Sequence, residues 1–160
     1  MKLEIIKVPD PRLRQKSKNL KPEEIKKIKS LISNMVETMY ANDGIGLAAP
    51  QIGQNIRLAV IGKQALPTGR QALPNKKELV LINPKISKRS WRQIKDFEGC
   101  LSVPGAAIEV KRHKKITVTA LNEKAERVSY VVSDYLARVF QHEIDHLDGI
   151  LIIDKNEKTN

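Results

Sequence analysis

Apolar residues recur at helical spacing through residues 21–44, KPEEIKKIKSLISNMVETMYANDG, where Ile25, Ile28, Ile32, Met35, Val36 and Met39 share one face. Pro22 suits a first helical position, Glu23 and Glu24 suit the positive end of the helix dipole, and Asn42–Gly44 stops the run. The pattern predicts a first helix with its stripe in the core. GIGLAAPQIG (44–53) is too rich in Gly and Pro for regular structure, and EGCLSVPG (98–105) reads as a second punctuated turn. IRLAVIG (56–62) and ELVLINPKI (78–86) read as strands, as do AAIEVK (106–111), KITVTAL (115–121) and RVSYVVS (127–133). Ser133 suits an N-cap, YLARVFQHEIDHLD (135–148) continues as a helix, and Gly149 is placed to end it. Helix, several strands, helix: this order predicts an α+β fold. It would be one compact domain over residues 1–160, with an N-terminal helix, antiparallel or mixed strands, and a helix in the C-terminal half. QALPTGR (64–70) is followed at once by QALPNKK (71–77), a near-duplicate too short for a solenoid unit, which reads as an exposed loop insertion.

Composition narrows this picture without changing it. A chain of 160 residues, 41% hydrophobic, suffices for one core. It has no apolar run near the roughly 18 residues of a membrane span. The start, MKLEIIKVPDPRLRQ, lacks the long apolar segment of a secretory signal, so a cytoplasmic protein with no membrane contact is expected. Cys100 is the single cysteine and forms no internal disulfide. The net charge is +11, and residues 1–30 carry ten Lys/Arg against four Asp/Glu. Lys111, Arg112, Lys114 and Lys115 form a second basic cluster. Such charge fits a solvated surface or a polyanionic partner such as RNA or a ribosome. With two Phe and one Trp the chain offers few stacking platforms, and no motif for sequence-specific nucleic-acid binding is present.

The candidate chemistry lies in QHEIDHLDG (141–149). Residues four apart on a helix are about 40° apart around its axis, so His142 and His146 can hold one ion. Glu143 sits about 100° from His142, poorly placed as a ligand and well placed to touch a water bound to the ion. Asp145 lies on the opposite flank; geometry does not choose between the two carboxylates, and the motif order favours Glu143. A catalytic centre of this kind takes three protein ligands. Asp148, Asp154 and Glu157 lie downstream and His113 lies among lysines. Cys100, in the tight turn of EGCLS, is the remaining soft donor.

GIGLAAPQ (44–51), EGCLS (98–102) and QHEIDH (141–146), in this order, resemble the three signature motifs of the peptide deformylase family. A weaker resemblance runs from KVPDPRLRQ through LVLINPKI to GILIID. The resemblance implies a metal-dependent hydrolase that removes the formyl group from the N-terminal formyl-methionine of newly made polypeptides. It implies Cys100, His142 and His146 as metal ligands and Glu143 as the catalytic carboxylate. Gln51 and the backbone N–H of Leu101 would be oxyanion donors, and Ile45 and Gly46 part of the substrate groove. The implied ion is Fe²⁺, with zinc, nickel or cobalt able to take its place. Partners would be N-formyl-methionyl nascent peptides and, through the basic surface, the ribosome. The insertion at 64–77 departs from the family pattern, and the tail after LIIDK is shorter than the ribosome-docking helix of many relatives. Arg112 reads as a family position or a solvated charge, Glu98 as structural or loop-orienting, and Arg138 as a partner for Asp145. Two other readings stand beside this one: a small metallopeptidase, which needs a third ligand outside EGCLS, and an RNA- or ribosome-binding module with a decayed site.

Overall fold

The computed structural model describes residues 1–67 and 77–156; most of the QALPTGR/QALPNKK repeat, and Glu157, lie outside the described residues. Helices α1 (Pro22–Ile25), α2 (Lys29–Ala41) and α3 (Asp134–Leu147) combine with β1 (Gly46–Ala48), β2 (Leu58–Ile61), β3 (Leu79–Arg89), β4 (Gln93–Cys100), β5 (Val103–His113), β6 (Lys115–Leu121) and β7 (Arg127–Ser133). The architecture is α+β. One five-stranded sheet runs β1-β2-β3-β6-β7, a two-stranded sheet is β4-β5, and every pair of these strands is antiparallel. No helix among the described residues is long and apolar enough to cross a membrane.

The first predicted helix is divided. Lys27 N–H and Ile28 N–H bond back three residues, to Glu24 and Ile25, closing a tight turn before α2 begins at Lys29. The stripe still does what its spacing implies. Ile25, Ile32, Met35 and Met39 pack with Leu47, Leu58, Val60 and Ile82. On the other face of the sheet, Leu136, Ala137, Val139, Phe140 and Ile144 of α3 pack with Ile61, Leu81, Ile116, Val118 and Val132. Strand β2 is therefore covered on both faces, which is why LAVI is apolar throughout rather than alternating.

Two stretches read as irregular contain short strand. GIGLAAPQIG supplies β1, whose three residues pair with Ile61, Val60 and Ala59, and then a 3₁₀ turn over Ala49–Ile52. EGCLSVPG is the end of one hairpin: β4 finishes at Cys100, and β5 starts at Val103. The N-terminal arm crosses both pieces. Ile6 N–H donates to the Gln51 carbonyl at 2.8 Å, and Val8 N–H donates to the Ser102 carbonyl at 2.9 Å.

Helix α3 ends as expected at Gly149, with φ of 73°. Gly149 N–H bonds to the His146 carbonyl and Ile150 N–H to the Asp145 carbonyl, the paired bonds of a left-handed helix stop. A Cβ at Gly149 would also meet the Arg14 carbonyl. Gly149→Ala should cost at least about 1–2 kcal/mol from the left-handed backbone alone. A thermal midpoint equal to wild type would show that this stop is not needed.

Candidate metal centre and its cleft

Helix α3 delivers His142 and His146 one turn apart, with their Nε2 atoms 3.2 Å from each other. The β4–β5 hairpin brings Cys100 to them, its Sγ 3.3 Å from His146 Nε2. The three donor atoms all lie within 4.8 Å of one another. Metal–ligand bonds of about 2.0–2.3 Å at tetrahedral angles would put ligand atoms about 3.3–3.6 Å apart, so this spacing fits one ion. The donor chemistry fits as well, since a thiolate and two imidazoles suit a first-row transition metal. No metallopeptidase-type ligand from outside residues 98–102 is needed to complete the set.

Behind His142 stands a buried ionic network. His142 Nδ1 bonds to Glu98 Oε2 at 2.9 Å, which fixes the ring with Nε2 toward the cluster. Glu98 also accepts from Arg112 Nε at 2.8 Å, Arg112 Nη2 at 2.9 Å and Arg138 Nη1 at 2.9 Å. Arg112 reaches on to Asp145. Arg112 is thus a buried partner and not a solvated charge. Arg138 does not meet Asp145 as expected. It instead donates to the Val110 carbonyl at 2.8 Å and the Ile94 carbonyl at 2.7 Å, clamping both hairpin strands to α3. Burial alone would raise the Glu98 carboxyl, but hydrogen bonds from Arg112 and His142 outweigh it and hold the group well below the usual carboxylate range.

The two imidazoles differ. Burial alone would lower His142, yet its contacts with Cys100 and Glu98 raise it to about 10. The same surroundings favour any positive charge set between His142 and Cys100. His146 is pushed well below the ordinary histidine range by burial and then by His142, which favours the neutral ring that metal ligation requires. Its Nδ1 has no partner among the described residues.

Glu143 is 3% exposed, and its Oε2 is likewise without a partner. Burial raises its carboxyl to about 7, so it can take or give a proton near neutrality. Gly46 lies directly against it: a Cβ there would stand 2.7 Å from Glu143 Cδ and closer still to Oε1. The glycine leaves room for the carboxylate, a second reason for it beside the expected approach of a peptide.

Gln51 is buried in the 3₁₀ turn after β1. Its Oε1 accepts from Ala48 N–H at 2.9 Å, which fixes which end of the amide is which. Its Nε2 points at Ser102 Oγ, 3.2 Å away, and at Cys100 Sγ, 3.7 Å away. A donor is therefore held beside Cys100 from a residue 49 positions earlier in the chain.

A cleft of about 580 Å³ opens over these groups, lined by Ile45, Gly46, Cys100, Leu101, His142 and Glu143 among others. Of the predicted site residues, Gln51 and His146 are not part of its lining. Phe97 and Tyr135 stand at its lining with 65% and 49% exposure. The sequence reading gave no role to Ser102 and left that of Glu98 open. Both belong to EGCLS, and a polar residue at each end of a ligand-bearing turn was the available signal.

The model of the polypeptide deformylase family matches residues 2–160. The chain is 49% identical over 154 residues to the peptide deformylase of Halothermothrix orenii, covering 96% of this chain and 92% of that one. It is 42% identical over 153 residues to the chloroplastic/mitochondrial peptide deformylase 1B of Arabidopsis thaliana, covering 96% of this chain and 54% of that protein. Among solved structures, the Thermotoga maritima peptide deformylase superposes with a TM-score of 0.86 at 38% identity, covering 98% of this chain and 99% of that one. The Met-Ala-Ser-bound structure of the Acinetobacter baumannii enzyme gives 0.87 at 31% identity, covering 97% and 98%.

Proposed function

The chain belongs to the peptide deformylase family, and from that premise we propose how its residues divide the work. The protein is a metal-dependent hydrolase that removes the formyl group from N-formyl-methionyl peptides. Residues 1–160 act as one catalytic domain, and Cys100, His142 and His146 hold the ion. Fe²⁺ is our first assignment, with zinc, nickel and cobalt as substitutes; the mixed sulfur and nitrogen donors suit all four. Held by these three residues, such an ion would supply Lewis acidity, lowering the pKa of a water molecule toward neutrality.

The chain's own groups do the rest. The peptide lies along Ile45 and Gly46 with its formyl group over the three ligands; that the Acinetobacter enzyme binds Met-Ala-Ser supports a peptide with an N-terminal methionine as the ligand. Glu143, completing the H-E-x-x-H motif on α3, takes the proton of the attacking water. As oxygen adds to the formyl carbon, charge gathers on the formyl oxygen, which accepts from Gln51 Nε2 and the backbone N–H of Leu101. Glu143 then passes its proton to the amine nitrogen as the C–N bond breaks, releasing formate and a free N-terminus. Each donor of this kind is worth roughly 3–4 kcal/mol in comparable sites. Substrates still in synthesis support a cytoplasmic enzyme, and the net charge of +11 supports a polyanionic neighbour such as the ribosome.

The observation that carries this reading is the convergence of Cys100 and His142, in the lining of a cleft, with His146, while the buried Glu143, its Oε2 unpartnered, lines the same cleft. Release of formate from a formyl-methionyl peptide by the purified protein tests it; hydrolysis of internal peptide bonds instead would replace it with a peptidase. Cys100→Ser should weaken metal binding or change the metal preferred. Unchanged stoichiometry and affinity for the same metal would remove Cys100 from the ligand set. With Fe²⁺ bound, activity should decay in air, because ion and thiolate both oxidise. Days of stable activity with iron still bound would contradict the iron assignment.

A further inference from the structure

Trp91, the chain's single tryptophan, is 93% exposed at the turn between β3 and β4. The turn is not loosely held. Ser90 N–H donates to the Lys115 carbonyl at 2.8 Å, and Lys114 N–H donates to the Arg92 carbonyl at 2.9 Å. Ser90 Oγ bonds both the Arg92 carbonyl at 2.9 Å and Lys115 N–H at 3.0 Å, and His113 Nδ1 meets the Ser90 carbonyl at 2.7 Å. The indole is presented to solvent from a fixed backbone, so ordering it against a partner costs little entropy.

Its surroundings are strongly cationic. Lys88, Arg89 and Arg92 flank it in sequence, and Lys111 and Lys115 come from the strands that hold the turn. All five are exposed, and none has an ion-pair partner among the described residues. Lys114 in the same segment is already paired with Asp134. Aromatic residues are few in this chain, but its one tryptophan is exposed at a turn flanked by cations.

We propose that this turn is a docking surface for RNA, with Trp91 stacking on an unpaired base and the surrounding cations meeting phosphates. The proposal rests on the reading above that the enzyme works on chains in synthesis, beside a partner rich in RNA, and it names the surface used. Charge complementarity favours a polyanion, and the solitary aromatic favours stacking. Insertion into a lipid surface calls for further large apolar side chains beside the tryptophan, and Ser87, Ser90 and Gln93 are its uncharged polar neighbours. Strand β4 runs seven steps from Gln93 beside the turn to Cys100, roughly 23 Å at strand rise, so the turn and the three ligand candidates sit at opposite ends of the strand.

The full-length protein, titrated with a labelled single-stranded RNA of mixed sequence, provides the test. Binding should quench the fluorescence of the only tryptophan. Trp91→Ala should weaken binding about tenfold and Trp91→Phe should restore most of it. Arg89→Gln and Arg92→Gln should each flatten the dependence of log affinity on log salt, by about one unit for every phosphate no longer neutralised. Formate release from a short formyl-methionyl peptide should match wild type in all four variants, so failure of this proposal and failure of the deformylase assignment are read separately. RNA affinity unchanged in Trp91→Ala, or binding without quenching, overturns the proposal. So does Trp91-dependent binding to anionic phosphatidylserine vesicles without Trp91-dependent binding to RNA.

Discussion

Gln51→Leu should lower kcat by roughly 10²–10³, the cost of losing one donor to a developing oxyanion, with little change in KM or metal content. The geometry adds a second consequence. Gln51 Oε1 satisfies the buried Ala48 N–H, so leucine also leaves that donor unpaired, at about 1–3 kcal/mol of stability. Leucine alone therefore mixes two effects. Gln51→Glu separates them, because a carboxylate oxygen still accepts from Ala48 N–H and the other can accept from Ser102 Oγ, while the Nε2 donor is gone and a like charge faces the formyl oxygen. The glutamate variant should keep a thermal midpoint closer to wild type and still be slow. A fast glutamate variant would mean that Gln51 serves only the turn.

A fall in kcat on the order of 10² or more, with metal retained, is the expected result for Glu143→Gln, the scale of lost general acid–base help. Gly46→Ala offers an independent route to the same failure. The added methyl cannot share space with the Glu143 side chain, so the carboxylate must swing from its place while its chemistry stays intact. Both variants should hold their metal, because Glu143 is not among the converging donors. Near-normal turnover in Glu143→Gln would shift proton transfer to Asp145 or solvent. Asp145 is a poor substitute as it stands, being engaged by Arg112 and within 3.6 Å of Lys155 Nζ. Full activity in Gly46→Ala with slow Glu143→Gln would mean that the carboxylate has a second productive position.

The parts of the site visible in the sequence were those written at short range. Two histidines one turn apart need only a helix, and the stripe through Leu136, Phe140 and Ile144 requires one at that place. Three motifs in order then joined residues that periodicity could not. What stayed hidden depends on burial, which is a tertiary property. Arg112 and Arg138 look like any other of the chain's 29 Lys and Arg residues, yet each is buried against Glu98. Strand β4 escaped because Glu98 is the only buried residue of its eight, so its apolar and polar positions do not alternate; pairing with β5 makes it a strand. Strand β1 is three residues long, too short to carry a period. The break before α2 lies in a run of lysines and isoleucines that favours helix on either side of it.

The arm that joins Ile6 to Gln51 and Val8 to Ser102 bears on how quickly the enzyme becomes active. Those bonds bridge about 45 and 94 residues of chain, and Cys100 must still wait for His142 and His146. Loop-closure entropy is met before any of these contacts gives a return, so the site belongs to the slow, non-local part of folding. On a chain growing from its N-terminus, Val8 stays without its Ser102 partner until the β4–β5 hairpin has appeared, and Cys100 without its histidines until α3 has. Local helix should form early in refolding, the Val8–Ser102 contact later, and catalytic competence last.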